Sequence, residues 1–437
     1  MIIGSKTGKE IKELHGVNCA PYTVTLGADQ IHIRNMFGYA GIPRSRLHDC
    51  SSPWGGTHFV DIPNIFRDFN ADVNDPASYD FHYTDEYITA IIQSGAQIVY
   101  RLGVSIEWGS KKYSSVVPPD LHKWAQICEH IVRHYNEGWN NGFHYGIEYW
   151  EIWNEPENPP MWQGTREDYY EMYRITSLHL RKCFPDIKIG GYGCCGFYSV
   201  FREGMSPEIK EFYDDCLIYF EDFLDMVKEN GCPLDFFSWH IYTDKVEEII
   251  HSAEYARKIL DKHGYYDTEC HLNEWNYGNE GGGFREKENM VGASFVAAAI
   301  IAMQNLPIHM AQYYCANLDS IYSLYNGLIG LRLYNYTAAL HTLSAFNALY
   351  RAKNELLVTK EAGEPAALAA VSDDGVSHVL ISTYNNKSEM LDLSFESDNE
   401  VEVYAINDNG FEKMFTFTGS RIVMPVKETE IYYLKAK

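Results

Sequence analysis

The most constraining feature of the sequence is an alternation of short β-branched or aromatic runs with longer amphipathic runs, from about residue 14 to residue 350. This alternation is typical of repeated strand–helix units around a parallel sheet. Eight parallel strands favour a closed (β/α)8 TIM barrel, because an open doubly wound sheet more often has about five or six. The eight strand candidates are Leu14–Asn18, Pro43–His48, Gln97–Gly103, Gly146–Asn154, Ile187–Tyr192, Asp235–Ile241, Thr268–Asn273 and His309–Cys315.

Beyond Ala352 the pattern changes to strands separated by turn residues. Asp374-Gly375 and Asn409-Gly410 are hairpin signals, since both pairs suit the tight turns that join antiparallel strands. We therefore predict a barrel domain over residues 14–352 and an antiparallel β-sandwich-like domain over residues 353–437, completed by a strand from residues 1–13. A length of 437 residues suits two units, because single cores stop growing near roughly 250 to 300 residues.

Charge and hydropathy limit the partners of the chain. The 36 basic and 60 acidic side chains give a net charge of −24, which disfavours nucleic acid and anionic membranes and favours a neutral substrate. The most apolar stretch, Val291–Met303, is shorter than the roughly 20 residues of a membrane span, so we predict a buried helix there. The N-terminus lacks the pattern of a secretory signal, which predicts a cytoplasmic protein. Homo-oligomerisation is left open.

Two glutamates follow strand candidates on what should be the same rim of the barrel. Glu155 ends the strand-like run of EYWEIWNEPENPPMW, and Glu274 closes the seventh strand in ECHLNEWN. Functional side chains of such barrels come from the carboxyl ends of strands, because the loops there build the pocket. Paired carboxylates can cleave a glycosidic bond, and a separation of roughly 5 to 5.5 Å gives retention of configuration. The acid should then have a raised pKa, and the nucleophile a normal or lowered one.

Four segments carry a specific resemblance. HGVN in the first strand, Arg46-Leu47-His48 in the second, WEIWNEPE in the fourth and LNEWN in the seventh resemble clan A of the glycoside hydrolases. Within that clan the chain is similar to glycoside hydrolase family 39, the family of β-xylosidases and α-L-iduronidases. The resemblance implies a retaining glycosidase that needs no cofactor or metal and acts on a carbohydrate, with Glu155 as acid/base and Glu274 as nucleophile.

The resemblance also implies substrate-binding residues. Asn154 would bind the 2-hydroxyl of the sugar, and Arg46 and His48 match the basic residue and the substrate-contacting histidine of the second strand. In SWHIYT of the sixth strand, Tyr242 would orient the nucleophile and His240 would contact substrate. A phenol that donates to a carboxylate favours its ionised form.

Other aromatic and basic residues bear on specificity. Tyr314 lies where family members commonly have a tryptophan, so the resemblance leaves the sugar undecided. Trp275, which follows the nucleophile, is the best placed of three candidates for stacking on sugar, the others being Trp108 and Trp162. Arg101, at the end of the third strand, either recognises a carboxylate-bearing sugar or forms an internal ion pair. The loop with Gly281-Gly282-Gly283, like those after strands two and five, is long, which favours exo action on terminal sugars.

Three other functions were weighed. Gly191-Tyr-Gly-Cys-Cys-Gly196 fits a dinucleotide-binding pattern, but no helix signal follows it directly, so we predict a simple loop there. A metal-dependent hydrolase on the same barrel is an alternative, because His48, His240 and His271 lie near strand positions. A non-catalytic carbohydrate-binding barrel is another, since a fold can persist without turnover.

Overall fold

The computed structural model describes residues 1–21, 35–50, 59–278, 286–316, 325–330 and 335–437. Eight parallel strands close into a barrel, because the first strand pairs with the last as well as with the second. The predicted (β/α)8 barrel is thereby confirmed, with every strand candidate overlapping an observed strand. The barrel strands are β2 (Glu13–Asn18), β3 (Arg44–Arg46), β4 (Gln97–Leu102), β5 (Tyr149–Ile152), β6 (Lys188–Cys194), β7 (Phe236–Thr243), β8 (Glu269–Tyr277) and β9 (Met310–Tyr313).

Most strand residues are buried, because side chains pack both inside the barrel and against the surrounding helices. Val99, Tyr149, Phe236 and Met310 come from four different strands and form a small cluster of their own. Tyr100 and Trp150 directly follow Val99 and Tyr149 and face the opposite side of the sheet. Their rings stack with centroids 4.8 Å apart. Burial on both faces explains the apolar, non-alternating strands of the sequence.

The helices follow the strands along the chain. They are α1 (described over residues 35–40), α2 (Ile62–Ile65), α3 (His82–Gln93), α4 (Leu121–Glu137), α5 (Arg166–Cys183), α6 (Pro207–Glu229), α7 (Val246–His263), α8 (Met290–Met303) and α9 (Ala338–Ala352). Short 3-10 turns lie at Pro76–Ser78, Trp139–Asn141, Tyr198–Val200 and Glu286–Glu288.

Two helix predictions can be checked directly. Thr165 and Asp168 form a reciprocal capping box at the start of α5, which satisfies backbone N–H groups that the helix itself leaves unpaired. Helix α8 is buried on nearly all sides, because it contacts α7 and α9 of the barrel layer as well as strands of the C-terminal sheet. The apolar stretch is therefore a core helix, as predicted.

The C-terminal part forms one seven-stranded sheet with a core of its own. The strand from Ile2–Glu10 (β1) pairs antiparallel with the first strand after α9, so the N-terminal strand is part of this sheet. Residues 2 and 3 also pair in parallel with β13, so that the sheet curls on itself around its core. The other strands are β10 (Asn354–Thr359), β11 (Ala366–Val371), β12 (Ser377–Ser382), β13 (Met390–Asn407), β14 (Gly410–Pro425) and β15 (Ile431–Ala436).

Within the described ranges, no helix combines the length and the apolar character that a bilayer span requires.

Candidate active site

Glu155 and Glu274 meet at the mouth of the barrel. Glu155 lies three residues after β5 and Glu274 lies in the upper part of β8. An oxygen of each carboxylate and a ring nitrogen of His240 lie within 4.8 Å of one another. The side chain of Glu155 is 15% exposed and that of Glu274 is 6% exposed, so both are largely shielded from water. Two strands that are distant in sequence thus bring the predicted pair together.

A β-bulge turns Glu274 into the barrel. In the pairing of β7 with β8, Trp239 is opposite Leu272 and the next residue, His240, is opposite Glu274, so Asn273 is an extra residue. Side chains of a regular strand alternate between faces, and an inserted residue resets that alternation. Asn273 therefore points inward, where it donates to Oε1 of Glu151 at 2.6 Å, and Glu274 points inward as well.

The backbone of Glu155 is held in an unusual conformation. Its φ angle is 42°, in the left-handed region that non-glycine residues seldom adopt. The amide of Glu155 donates to the carbonyl oxygens of Tyr192 at 3.0 Å and Gly193 at 3.1 Å, which ties the turn to β6. Such strain is maintained where the surrounding structure enforces it, and it is concentrated at functional sites.

Two donors hold the carboxylate of Glu274. Nη1 of Arg46 donates to Oε1 at 2.7 Å, and the hydroxyl of Tyr242 donates to Oε2 at 2.7 Å. Both oxygens of Glu274 are thus held in place by donors from two other strands. Tyr242, which the resemblance expected to orient Glu274, contacts this carboxylate, and Arg46, which was expected to bind substrate, is paired with it.

Arg46 links Glu274 to the rest of the site. Its Nε donates to Glu151 at 2.7 Å, its Nη2 donates to Oδ1 of Asn154 at 2.6 Å, and Nη1 also donates to Asn18 at 3.1 Å. The guanidinium is fully buried. Burial lowers the pKa of Arg46, but the charges of Glu151 and Glu274 outweigh it and raise the pKa above its ordinary value. A permanent positive charge therefore lies beneath the pocket.

Comparison with known proteins decides the family. Residues 56–323 match Glycosyl hydrolases family 39. The chain belongs to glycosyl hydrolases family 39. The sequence resemblance is thereby confirmed for a continuous segment that covers more than half of the chain and includes both glutamates.

Several relatives of this family 39 chain are similar to it in sequence or fold. β-Xylosidases of Geobacillus stearothermophilus and Caldicellulosiruptor saccharolyticus are each 23% identical, over 49% and 54% of this chain; the alignments span 44% and 48% of those proteins, less than half their length. A glucosidase from Croceicoccus marinus shares the fold with a TM-score of 0.79 and 23% identity, over 100% of this chain and 98% of that one. A monomeric β-xylosidase from Caulobacter crescentus CB15 has a TM-score of 0.73 and 12% identity, over 100% and 99%.

The environment of Glu155 differs from the expectation for an acid. Nδ1 of His240 lies 2.7 Å from Oε1 of Glu155, and the side-chain Nδ2 of Asn158 donates to Oε2 at 2.8 Å. Burial raises the pKa of Glu155, but the hydrogen bond and the charge of His240 outweigh it, so the pKa is below its ordinary value. The raised pKa expected for the acid is therefore wrong for this structure, because a histidine pairs with the carboxylate.

His48 and Tyr314 meet at a carboxylate that the sequence analysis missed. The hydroxyl of Tyr314 donates to Oδ2 of Asp49 at 3.0 Å, and Nε2 of His48 lies 3.3 Å from the same oxygen. That nitrogen is also 3.9 Å from Oε1 of Glu274. His48 therefore borders Glu274, and Asp49 contacts both His48 and Tyr314.

Trp275 does not belong to the pocket. Its ring is fully buried and packs edge-to-face on Tyr313, with centroids 5.5 Å apart. The residue after an inward-pointing one faces outward on a strand, so Trp275 lies between the barrel and its helices. The prediction that it stacks on sugar is wrong for this reason. Trp162 is also buried, against Trp153 at 5.0 Å.

Arg101 forms an internal ion pair. Its Nη2 donates to Oδ1 of Asp61 at 2.7 Å, and Asp61 also accepts from the amide of Ser105 at 2.7 Å. The arginine side chain has no exposed surface. Of the two readings of the sequence, the ion pair is the one that the geometry supports.

A second carboxyl group lies near Glu155. Glu157 accepts from the amide of Cys195 at 2.7 Å, and burial, together with the charge of Glu155, raises its pKa to about 7. It borders a cavity of about 400 Å³ that Trp162 and Arg166 also line. Glu157 therefore faces Cys195 and this cavity, apart from the pair formed by Glu155 and Glu274.

The buried polar residues beneath the site were missed by sequence reasoning. Glu151 has no exposed surface, and its carboxylate accepts from Arg46, Ser238 and Asn273. One signal was available, namely a glutamate inside the apolar run that precedes Glu155. Buried charges are costly unless paired, so such a residue indicates a basic partner in the barrel.

Two groups of described side chains have the spacing of metal ligands. They are Glu155 with His240 and Glu274, and Glu129 with His179 and Cys183. In the first group, a cation would face the guanidinium of Arg46, which lies 2.7 Å from Glu274. In the second group, Arg133 already pairs with Glu129 at 2.7 Å. Like-charge repulsion disfavours a cation at both places.

Proposed function

We propose that the protein is a retaining, exo-acting glycoside hydrolase that releases a terminal sugar by double displacement. The observation that supports this proposal is the short separation of the carboxylates, whose nearest oxygens lie within 4.8 Å. Retaining enzymes hold their carboxyl groups roughly 5 to 5.5 Å apart, whereas inverting enzymes leave room for a water at roughly 6.5 to 9.5 Å. The short distance between these oxygens therefore favours the retaining arrangement.

In the first step, Glu155 donates a proton to the glycosidic oxygen. The bond between that oxygen and the anomeric carbon breaks, and its electron pair leaves with the protonated alcohol. An oxygen of Glu274 forms the new bond to the anomeric carbon, giving a covalent glycosyl-enzyme. Arg46 and Tyr242 keep Glu274 ionised and aimed for this attack.

In the second step, Glu155 acts as a base. It takes a proton from water, whose oxygen bonds to the anomeric carbon while the bond to Glu274 breaks. The sugar leaves with its original configuration, and both carboxyl groups return to their starting state.

Asn154 is positioned to bind the 2-hydroxyl of the sugar. Arg46 donates to its side-chain oxygen at 2.6 Å, which orients the amide nitrogen as the donor that remains for a ligand. Hydrogen bonds to the 2-hydroxyl strengthen in the transition state of glycoside cleavage.

The substrate is proposed to be a neutral β-linked glycoside, with a β-xyloside as the first to test. The similarity to β-xylosidases and to a glucosidase fold supports this class. The net charge of −24 also favours a neutral sugar. Exo action is proposed from the length of the loop that contains Gly281-Gly282-Gly283, which lies outside the described residues.

Covalent trapping tests the proposal. Chromogenic glycosides are screened first, and the preferred sugar is then supplied as its 2-deoxy-2-fluoro analogue, which slows the second step more than the first. Peptide mass spectrometry should find the adduct on Glu274. A label on another residue, or turnover without any adduct, contradicts the mechanism.

A metal-dependent hydrolase is the second candidate, because Glu155, His240 and Glu274 have ligand spacing. It predicts that a chelator abolishes turnover and that zinc or manganese restores it. The carboxylate mechanism predicts unchanged turnover in chelator. A third outcome, binding of sugar with no turnover of any glycoside, is what a non-catalytic barrel would show.

A further inference from the structure

An exposed tryptophan lies on the catalytic face of the barrel. Trp108 is in the loop that joins β4 to α4, and such strand-to-helix loops surround the pocket in barrels of this kind. Its side chain is 66% exposed. The buried tryptophans of the described chain are Trp124, Trp150, Trp153, Trp162, Trp239 and Trp275. Trp108 therefore differs from tryptophans that serve as core.

The loop around Trp108 is fixed by its own hydrogen bonds. Oε2 of Glu107 accepts from the amides of Ser114 at 3.0 Å and Ser115 at 2.8 Å. Nζ of Lys112 donates to the carbonyl oxygens of Glu107 at 2.5 Å and Gly109 at 2.6 Å, on either side of Trp108. The ring is consequently presented on an ordered backbone, and a ligand that stacks on it pays little entropy to order the loop.

The same loop is attached to the active site at two points. The amide of Glu107 donates to the carbonyl of Pro160 at 3.2 Å, in the segment that follows Glu155. The amide of Ile106 donates to Oδ1 of Asp49 at 2.9 Å, and Asp49 holds Tyr314 beside Glu274. Trp108 thus directly follows Ile106 and Glu107, two residues whose backbone amides are hydrogen-bonded to segments of the catalytic site.

We propose that Trp108 binds the leaving group of the substrate, and that this group is itself a pyranose sugar. The inference rests on the proposed function. The departing oxygen must lie within reach of Glu155, so the leaving group begins on the side of the acid/base segment, to which the Trp108 loop is bonded. The exposed apolar face of an indole matches the C–H face of a pyranose ring. The preferred substrate is then a disaccharide or the end of an oligosaccharide.

Two probes that share one sugar but differ in leaving group test this assignment. One is the β-linked disaccharide of the preferred sugar, and the other is its 2-deoxy-2-fluoro glycosyl fluoride, whose leaving group has no ring. Trp108→Ala should lower kcat/KM for the disaccharide about tenfold, as expected for loss of one stacked ring. The rate constant for labelling by the fluoride should stay within about twofold of wild type.

Two further variants serve as controls. Trp108→Phe keeps an aromatic face and should retain most activity on the disaccharide. Tyr113→Ala removes a ring of the same loop that is 71% exposed and has the ammonium of Lys111 4.8 Å from its centroid, and it should change neither rate. The assignment is overturned if Trp108→Ala leaves the disaccharide rate unchanged, or if both rates fall together. A wild-type protein that is never labelled instead contradicts the proposed hydrolase, and the inference with it.

Discussion

The imidazole of His240 lies against the carboxylate of Glu155, with Nδ1 2.7 Å from Oε1. Its other nitrogen is 3.5 Å from Oε1 of Glu274, so one ring lies between both carboxylates. Burial lowers the pKa of His240, but the charges of Glu274 and Glu155 raise it above its ordinary value. In the free protein, Glu155 and His240 therefore share one proton, and the pair titrates as a unit.

The first prediction concerns the alkaline limb of the pH profile of kcat/KM. In the wild type, the shared proton is lost only above the ordinary pKa of histidine, about 6.5. In His240→Asn, the proton is held by a carboxyl group alone, so the alkaline limb should move to lower pH. His251→Asn, at an exposed position of α7, is the control. An alkaline limb that does not move would show that the pair does not store the catalytic proton.

The second prediction concerns the leaving group. Glu155→Ala should lower kcat/KM for poor alcohol leaving groups by roughly 10² to 10⁴, the usual contribution of a general acid. Activated aryl leaving groups need little protonation, so their loss should be at least about tenfold smaller. Glu157→Gln is the matched control, because that carboxyl group lies only two residues away, has a pKa raised to about 7, and is outside the pair formed by Glu155 and Glu274. Equal losses for both leaving groups would count against the acid role.

The third prediction treats Asp49 as a positioning residue for Tyr314. Asp49→Asn and Tyr314→Phe should each lower kcat/KM about tenfold, because the first replaces the charged acceptor of this hydrogen bond by a weaker neutral one and the second removes the donor. The double variant should lose little more than either single one, since the interaction is already absent. Independent, multiplicative losses in this double-mutant cycle would mean that Asp49 acts elsewhere.

The fourth prediction concerns stability at the opposite end of the barrel. Glu269 at the start of β8 is 20% exposed and pairs with Lys188. Burial raises its pKa, but His271 and Lys188 lower it to about 2. Burial lowers the pKa of His271, which favours its neutral form. Lys188 is therefore the partner that is charged at neutral pH. A depressed carboxyl pKa stabilises the fold above the unfolded pKa, and this contribution is lost as pH falls towards 2.

Glu269→Gln should therefore lower the free energy of unfolding at pH 7 by about 1 to 3 kcal/mol, with the difference shrinking between about pH 4.5 and pH 2. Denaturant unfolding at several pH values measures both. Glu148→Gln is the control, since Glu148 is 3.7 Å from the same lysine but 50% exposed. A pH-independent difference between Glu269→Gln and wild type would exclude the titration.

Local patterns in the sequence were sufficient for the architecture. Eight apolar runs at the spacing of strand–helix units predict a closed barrel. In such a barrel, one face of each strand packs inside and the other packs against the helices, so both faces are apolar. The glutamates of WNEPE and LNEWN were placed on the rim by the same reasoning, since each follows the apolar part of its run. The switch to hairpin signals after Ala352 likewise predicted the separate sheet.

Orientation was decided by the tertiary structure. Strict alternation along β8 would place Asn273 inward and Glu274 outward, and only the bulge formed in pairing with β7 turns Glu274 inward as well. The bulge also decides the orientation of Trp275, which it places on the outer face of the barrel. Glu151, Asp49 and His240 acquired their roles from partners on other strands. Strand register and buried ion pairs depend on contacts between residues far apart in the chain, and local sequence patterns do not encode those contacts.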